Sequence, residues 1–237
     1  MDQGILAHPA WNHAALIFFL LAWFSYTAFA KYMAKRTHCL ASIMCVHRVW
    51  WMDRMMVRDN RVADAALLSN IERNVNFFAS TTMIIIAAIL TVLTRDFELA
   101  LLSQSIEQDF GHIKLIVMVA IMAYAFFTFT WSLRQYGFAS VLLGAAPLPS
   151  QEEFNLSQRK EYAKSTAKVL DQAGHSFNYG LRAYYFSMAV IAWFAHPVLF
   201  ILATSLVVAV LYYREFMSKS LALMVMDADI IKGKAKA

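Results

Sequence analysis

The chain has 237 residues, of which 60% are hydrophobic and 16% are charged, whereas a soluble domain has about a quarter charged residues. This composition excludes an ordinary soluble domain and indicates a single, helical integral membrane domain. The net charge of +5 fits contact with anionic lipid headgroups and requires no nucleic acid, and the two cysteines do not make a disulfide framework.

Apolar runs predict the membrane spans, each of which needs about 20 mostly apolar residues. Three runs stand alone, at residues 11–30, 76–93 and 113–133. We expect the first to remain as an anchor, because it ends in KYMAKR instead of a small-residue cleavage site. A fourth region covers residues 177–216, and as one helix it would be about 60 Å long, twice the hydrocarbon thickness.

His196–Pro197 interrupts this fourth region. Proline has no backbone N–H to donate, and it biases the residue before it away from helical geometry. We therefore expect a hairpin between two spans, at residues 177–196 and 198–217. The alternative is a single kinked and strongly tilted helix.

The distribution of charge favours five spans over four. Residues 31–75, 134–176 and 214–237 are rich in Lys and Arg, whereas residues 94–112 hold one arginine, Arg95, among several acids. Basic segments stay in the cytoplasm. Five spans place the N-terminus and residues 94–112 outside and all three basic segments inside, but four spans would leave the basic C-terminal segment outside. The sequence thus predicts an all-α, polytopic bundle with its C-terminus in the cytoplasm of a bacterial-type inner membrane.

Two cytoplasmic segments mix apolar and charged residues as interfacial helices do, at about residues 40–75 and 150–176. We expect Asp59 or Asn60 to cap the helix that runs into the second span. In the other segment, Ser150 and Glu153 have the spacing of a capping box.

Short stretches in a fixed order resemble a known family. They are IERNVNFFAST (71–81), SLRQYGF (132–138), and NYGLRAYYF followed by WFAHP (178–197). Their order is similar to that in the bacterial and plant membrane proteins grouped as domain of unknown function 599, over roughly residues 15 to 220. The resemblance implies a polytopic membrane protein with no assigned activity.

A cluster of basic and amide side chains is predicted near the cytoplasmic ends of spans two, three and four. Guanidinium groups bind phosphate in bidentate fashion, so the cluster is a candidate site for a small anion or an anionic lipid. The arginines can equally pair with Glu72, Asp171 and Glu215 as structural contacts. The candidate residues are Arg73, Asn74, Arg134, Asn178 and Arg182.

Histidines gather on the predicted outer face and form a weaker candidate site for a metal or haem. They are His8, His13, His112 and His196, and none of their spacings matches a ligand motif. On the inner side, HCLASIMCVH (38–47) holds two thiols and two imidazoles, but its apolar centre fits a packed helix better than a zinc site. We expect no cofactor and assign none.

The sequence contains no P-loop, GxSxG, HExxH or CxxC motif, so we expect no enzyme and name no catalytic residue. Small residues in the second span predict a face for close helix packing, namely Ala79, Ser80, Thr81, Thr82, Ala87 and Ala88. The leading hypothesis is a non-catalytic subunit of a membrane complex or a homo-oligomer. The alternatives are an anion channel or carrier that uses the arginine cluster, and a metal or haem module.

Overall fold

The computed structural model describes residues 9–34, 36–103 and 110–234, and in this part of the chain all regular structure is helical. The helices are α1 Pro9–Met33, α2 Leu40–Met56, α3 Val62–Ser103, α4 Phe110–Ala145, α5 Leu156–Ala195, α6 Pro197–Phe216 and α7 Lys219–Lys234.

Four stretches among the described residues are long and apolar enough to cross a membrane, as expected of a multi-pass membrane protein. They are Ala10–Met33, Val62–Arg95, Gly111–Ala145 and Pro197–Ala228. They include the predicted spans at 11–30, 76–93, 113–133 and 198–217. The predicted span at 177–196 forms the second half of α5 and is not among the four, because Asn178, Arg182 and its tyrosines lower the hydropathy there.

The chain divides into two compact units. Unit 1 consists of residues 1–32, 80–127 and 180–212, and unit 2 of residues 33–79, 128–179 and 213–237. The long helices α3, α4 and α5 contribute to both units.

In unit 1, α1 contacts the second half of α5 at three successive positions. The Asn12 side-chain oxygen accepts a 2.8 Å hydrogen bond from Trp193 Nε1. The Phe19 ring lies 5.7 Å from the Phe186 ring. Further along, the Arg182 guanidinium lies 5.5 Å from the centre of the Tyr26 ring. Chain numbers rise along α1 while they fall along α5, so these two segments are antiparallel.

The contacts of α1 with α6, also in unit 1, run in the other sense. The Phe19 ring lies 5.0 Å from the Phe200 ring, and the Phe29 ring lies 6.2 Å from the Tyr212 ring. Chain numbers rise along both helices, so α1 and α6 are parallel. Phe19 and Phe200 are both fully buried, which places the aromatic core of unit 1 at this level.

A second apolar cluster in unit 1 joins α3 to α4 around Ile89, Leu115 and Met122, with Ile85, Ile86 and Tyr184 packed against it. A 2.7 Å hydrogen bond between the hydroxyls of Thr82 and Tyr184 adds a polar link between α3 and α5. One side of α3 is therefore committed to packing inside unit 1.

In unit 2, α7 packs on α2. Ile43 of α2 is buried against Leu221 and Ala228 of α7. A ring nitrogen of His47, Nε2, also lies 3.4 Å from the backbone oxygen of Met224. These contacts fix the C-terminal helix to the segment that directly follows α1.

Hydrogen bonds link the remaining helices of unit 2. Ser132 Oγ donates to the backbone oxygen of Ala173 at 2.8 Å, which joins α4 to α5. The Arg61 guanidinium donates to the backbone oxygens of Ala146 and Pro147, both at 2.6 Å. These carbonyls lie at the end of α4, where the helix leaves its last carbonyls without partners.

Of the two predicted helix caps, one is confirmed and the other is wrong. The side chain of Asn60 accepts a 2.9 Å hydrogen bond from the backbone N–H of Val62 at the start of α3, as the sequence predicts. The capping box predicted at Ser150 and Glu153 is wrong, because α5 begins at Leu156. Asn155 and Gln158 form the box instead, through reciprocal 2.9 Å hydrogen bonds.

Candidate functional site

The candidate site lies in unit 2 and is centred on Arg48. At the start of α2, Cys39 Sγ accepts a hydrogen bond from the Ser42 backbone N–H, and Ser42 Oγ accepts one from the Cys39 backbone N–H. This start sets the register of α2 and turns Arg48 toward α5. There, Arg48 Nη1 donates to Asp171 Oδ1 at 2.6 Å. The side chains are 17% and 18% exposed, so the ion pair is largely shielded from solvent.

His175 extends the ion pair along α5, one turn beyond Asp171. Its Nε2 lies 3.3 Å from Asp171 Oδ2, so the carboxylate contacts a basic group at each oxygen. Burial alone would raise the pKa of Asp171. The hydrogen bond from His175 and the charge of Arg48 outweigh this effect and hold the pKa of Asp171 below its ordinary value.

Gly174 allows the guanidinium to approach α5 closely. A Cβ at position 174 would overlap Arg48 Nη2 and would lie 2.9 Å from Arg48 Cζ. Glycine in a helix interior costs about 1 kcal/mol relative to alanine, so its presence here has a steric reason. The position of Arg48 thus depends on the missing side chain as well as on Asp171.

Two cavities in unit 2 meet at Arg48. One, of about 230 Å³, is lined by Arg48 together with His47, Trp51 and Tyr136. The other, of about 250 Å³, is lined by Arg48, His175 and Asn178, with Leu40, Ala41 and Met44 as its apolar wall. Arginine, imidazole and carboxamide side chains can all donate hydrogen bonds. The second cavity therefore presents donors to a small polar guest.

Cys45 lies within the electrostatic reach of this ion pair. Burial raises the pKa of its thiol, and the nearby Asp171 carboxylate raises it further, while Arg48 acts in the opposite direction. A thiol with a raised pKa holds less of the nucleophilic thiolate at neutral pH. The geometry thus favours a packed, inert cysteine.

The five residues of the predicted anion site have different surroundings. In unit 2, Arg73 and Asn74 are exposed on α3. Arg134 is exposed on α4, and its guanidinium lies 5.8 Å from the centre of the Phe138 ring. Asn178 lines the cavity beside Arg48. Arg182 belongs to unit 1, where it is half-buried over Tyr26.

Two of the predicted partners of these arginines have other contacts. Asp171 pairs with Arg48, and Glu72 accepts a 2.7 Å hydrogen bond from Ser140 Oγ on α4.

The predicted metal site is described in part. His8 lies outside the described residues, as do the nearby acids Glu107 and Asp109. His13 is exposed, and His196 Nδ1 accepts a 3.2 Å hydrogen bond from the backbone N–H of Val198. His112 is half-buried at the start of α4. Within the ranges that the structure describes, no three His, Cys, Asp or Glu side chains are grouped so that they could hold a metal ion.

The profile of a family described as "Protein of unknown function, DUF599" matches residues 14–220, which is most of the chain. The chain belongs to the DUF599 family. This confirms the family resemblance read from the sequence. No curated protein and no solved structure matches the chain.

In this DUF599 protein, the sequence did not predict a cluster of Arg48, Asp171 and His175. Arg48 and Asp171 are 123 positions apart, so no local pattern joins them. Two local signals were available on α5: the i,i+4 spacing of Asp171 and His175, and a glycine between them in a helix interior.

Proposed function

We propose that this DUF599 protein crosses a bacterial-type inner membrane five times and acts there as a non-catalytic, helix-packing subunit. Its N-terminus lies outside and its C-terminus lies in the cytoplasm. The fifth span is the second half of α5, at residues 177–196, and the chain turns back at His196–Pro197.

The packing of α7 on α2 supports an odd number of spans. Helix α2 follows the first span and α7 follows the last. Because Ile43 of α2 is buried against Leu221 and Ala228 of α7, both helices must lie on the same side of the membrane. An even number of spans must therefore separate them, which agrees with five in total and disagrees with four.

The aromatic contacts of α1 support the turn at His196–Pro197. The single ring of Phe19 lies 5.7 Å from Phe186 and 5.0 Å from Phe200. In one straight helix, positions 186 and 200 would be about 21 Å apart along the axis. The segment before His196 is antiparallel to α1 and the segment after it is parallel to α1, as in a hairpin.

The distribution of charge supports the orientation. The chain has 21 Lys and Arg residues, and those of unit 1 are Lys31, Arg95, Lys114 and Arg182. All the others fall in the three segments of unit 2. Basic segments are retained in the cytoplasm, so these three segments are assigned to that side.

The proposal that the protein associates with other membrane helices rests on one face of α3. Ser80, Ile84, Ala87 and Thr91 follow one another at spacings of three and four residues, and all four are exposed. The opposite side of α3 already packs on α4. The Thr91 hydroxyl donates to the Ala87 backbone oxygen of its own helix at 2.9 Å, so it needs no water. Small side chains let two helix backbones approach closely.

The test is the size of the purified protein in a mild detergent, measured by native mass spectrometry. We expect an oligomer or a complex, and we expect Ala87→Leu and Ala88→Leu to shift it toward the monomer because the larger side chain separates the backbones. Ala120→Leu is the matched control, since Ala120 is exposed on α4. A monomeric wild type, or an assembly that both α3 variants leave intact, contradicts this function.

A second candidate function is the binding of a small oxyanion, and the 250 Å³ cavity in unit 2 favours it. Arg48 uses Nη1 to bind Asp171, and a guanidinium has five N–H donors in all. Its other donors, with those of His175 and Asn178, are available to a guest at the cavity wall. This supports anion binding beside Asn178 rather than at the exposed Asn74.

Titration with inorganic phosphate tests the second candidate. Asn178→Leu should weaken phosphate binding, whereas Asn74→Leu should leave it unchanged. Equal losses in both variants, or no binding of phosphate by the wild type at millimolar concentration, would reject the cavity as an anion site.

A further inference from the structure

An apolar groove runs between the parallel helices α1 and α6 in unit 1, with a volume of about 520 Å³. Four of its lining residues are small, Ala22 and Ser25 on α1 and Ser205 and Ala209 on α6. Ser205 Oγ donates to the Ile201 backbone oxygen of its own helix at 2.9 Å, so this hydroxyl presents no free donor to the groove. The groove lies beside aromatic side chains and has the size of a ligand site.

The length of the groove matches one leaflet of a bilayer. On α1 it extends from Phe18 to Phe29, about 16 Å at 1.5 Å per residue. Half of a 30 Å hydrocarbon core is about 15 Å. A spanning helix from another protein needs the whole thickness and would rest on the groove for only about half of its length. One acyl chain fits the groove from end to end.

A basic residue occurs at the level where a lipid headgroup would lie. The groove ends at the Phe29–Tyr212 contact, and α1 then ends within about one turn. Lys31 lies in this last turn of α1 and is exposed. Its side chain does not line the groove, but long basic side chains reach the headgroup region from such positions. A basic residue near an anionic membrane surface attracts anionic lipid.

From the length of the groove and the charge of Lys31, we propose that it binds one anionic phospholipid of the cytoplasmic leaflet. An acyl chain fills the groove from Phe18 to Phe29, and the phosphate lies at the level of Lys31. This site is separate from the face of α3 around Ala87, so it holds whether or not the protein forms the proposed assembly, and only its leaflet rests on the orientation proposed above.

The first test uses the unmodified full chain in nanodiscs with a photoactivatable phosphatidylglycerol whose diazirine lies on an acyl chain. We expect crosslinked peptides from residues 18–29 and 205–212, and we expect excess unlabelled phosphatidylglycerol to compete better than phosphatidylcholine. Crosslinks spread over all exposed apolar helices would overturn the proposal. So would the absence of lipid adducts on the groove peptides, because another occupant, such as a helix of a second copy, would then fill the groove.

Variants separate the groove from the charge. The double variant Ala22→Phe with Ala209→Phe places two large rings in the groove and should weaken phosphatidylglycerol binding at least tenfold in native mass spectrometry. Ala28→Phe is the control, because Ala28 is exposed on α1 but does not line the groove. Lys31→Gln should keep lipid binding but weaken the preference for phosphatidylglycerol over phosphatidylcholine. An unchanged preference in that variant overturns the headgroup assignment.

Discussion

Gly174→Ala tests the close approach of Arg48 to α5. In an ordinary helix this substitution stabilises by about 1 kcal/mol. Here the new Cβ would overlap Arg48 Nη2, so the guanidinium must shift, and we expect this shift to break its 2.6 Å contact with Asp171. Breaking a fully buried ion pair costs about 3–5 kcal/mol, and the partial exposure of this pair reduces the cost to about 2–3 kcal/mol. We therefore expect a net destabilisation of about 1–2 kcal/mol.

Thermal unfolding in detergent measures this effect. For a chain of this size, 1 kcal/mol corresponds to a change in Tm of roughly 2–4 °C. Gly137→Ala and Gly144→Ala serve as controls on α4, because a Cβ at either position meets nothing within 4 Å. We expect Tm to fall for Gly174→Ala and to be unchanged or higher for the controls.

A double-mutant cycle identifies the cause. If the clash with Arg48 destabilises the Gly174→Ala variant, the same substitution should be neutral or stabilising in an Arg48→Ala background. A Gly174→Ala protein as stable as the Gly137→Ala control would refute this account of the site. An equal loss of stability in both backgrounds would also refute it.

Three further predictions concern single contacts. Asn12→Leu leaves the buried Trp193 N–H without its acceptor and should destabilise the fold by about 1–3 kcal/mol. The Tm of this variant should lie below that of the double variant Asn12→Leu with Trp193→Phe, which lacks the indole N–H. Asp171→Asn should destabilise the fold most above about pH 4. A carboxyl whose pKa is lowered in the folded state stabilises the fold above its unfolded pKa, and this effect is lost as the pH falls through the folded pKa. A Tm difference between variant and wild type that is equal at pH 7 and pH 3 would argue against this. Leu221→Asp buries a charge against Ile43 and should release α7, measured as faster proteolysis of the C-terminal helix.

The apolar spans could be predicted from the sequence because the bilayer imposes a local requirement, about 20 apolar residues in one run. Helix ends were harder to predict. Helix α3 begins at Val62, although the apolar run begins near residue 76, because its charged first part packs in unit 2 and remains helical. Propensity and capping at Asn60 mark the true start, but hydropathy does not.

Most residues of the candidate site could not be predicted from the sequence. The predicted cluster assumed that arginines near the same membrane level share one place, and this reasoning included Arg73 and Arg134, which are exposed. Arg48 was absent from the prediction because its partner Asp171 comes from a distant helix. The choice of partner depends on tertiary packing, which a single sequence does not display. Of the predicted residues, Asn178 lines a cavity beside this pair.

The packing of α7 on α2 has a consequence for the time course of biosynthesis. His47 and Met224, which meet in this contact, are 177 positions apart in the chain. At 5–20 residues per second, the ribosome needs about 9–35 s to make the intervening segment. During this interval the apolar face of α2 around Ile43 has no α7 to cover it. A nascent chain stalled before residue 219 would therefore leave this apolar face of α2 uncovered until α7 is made.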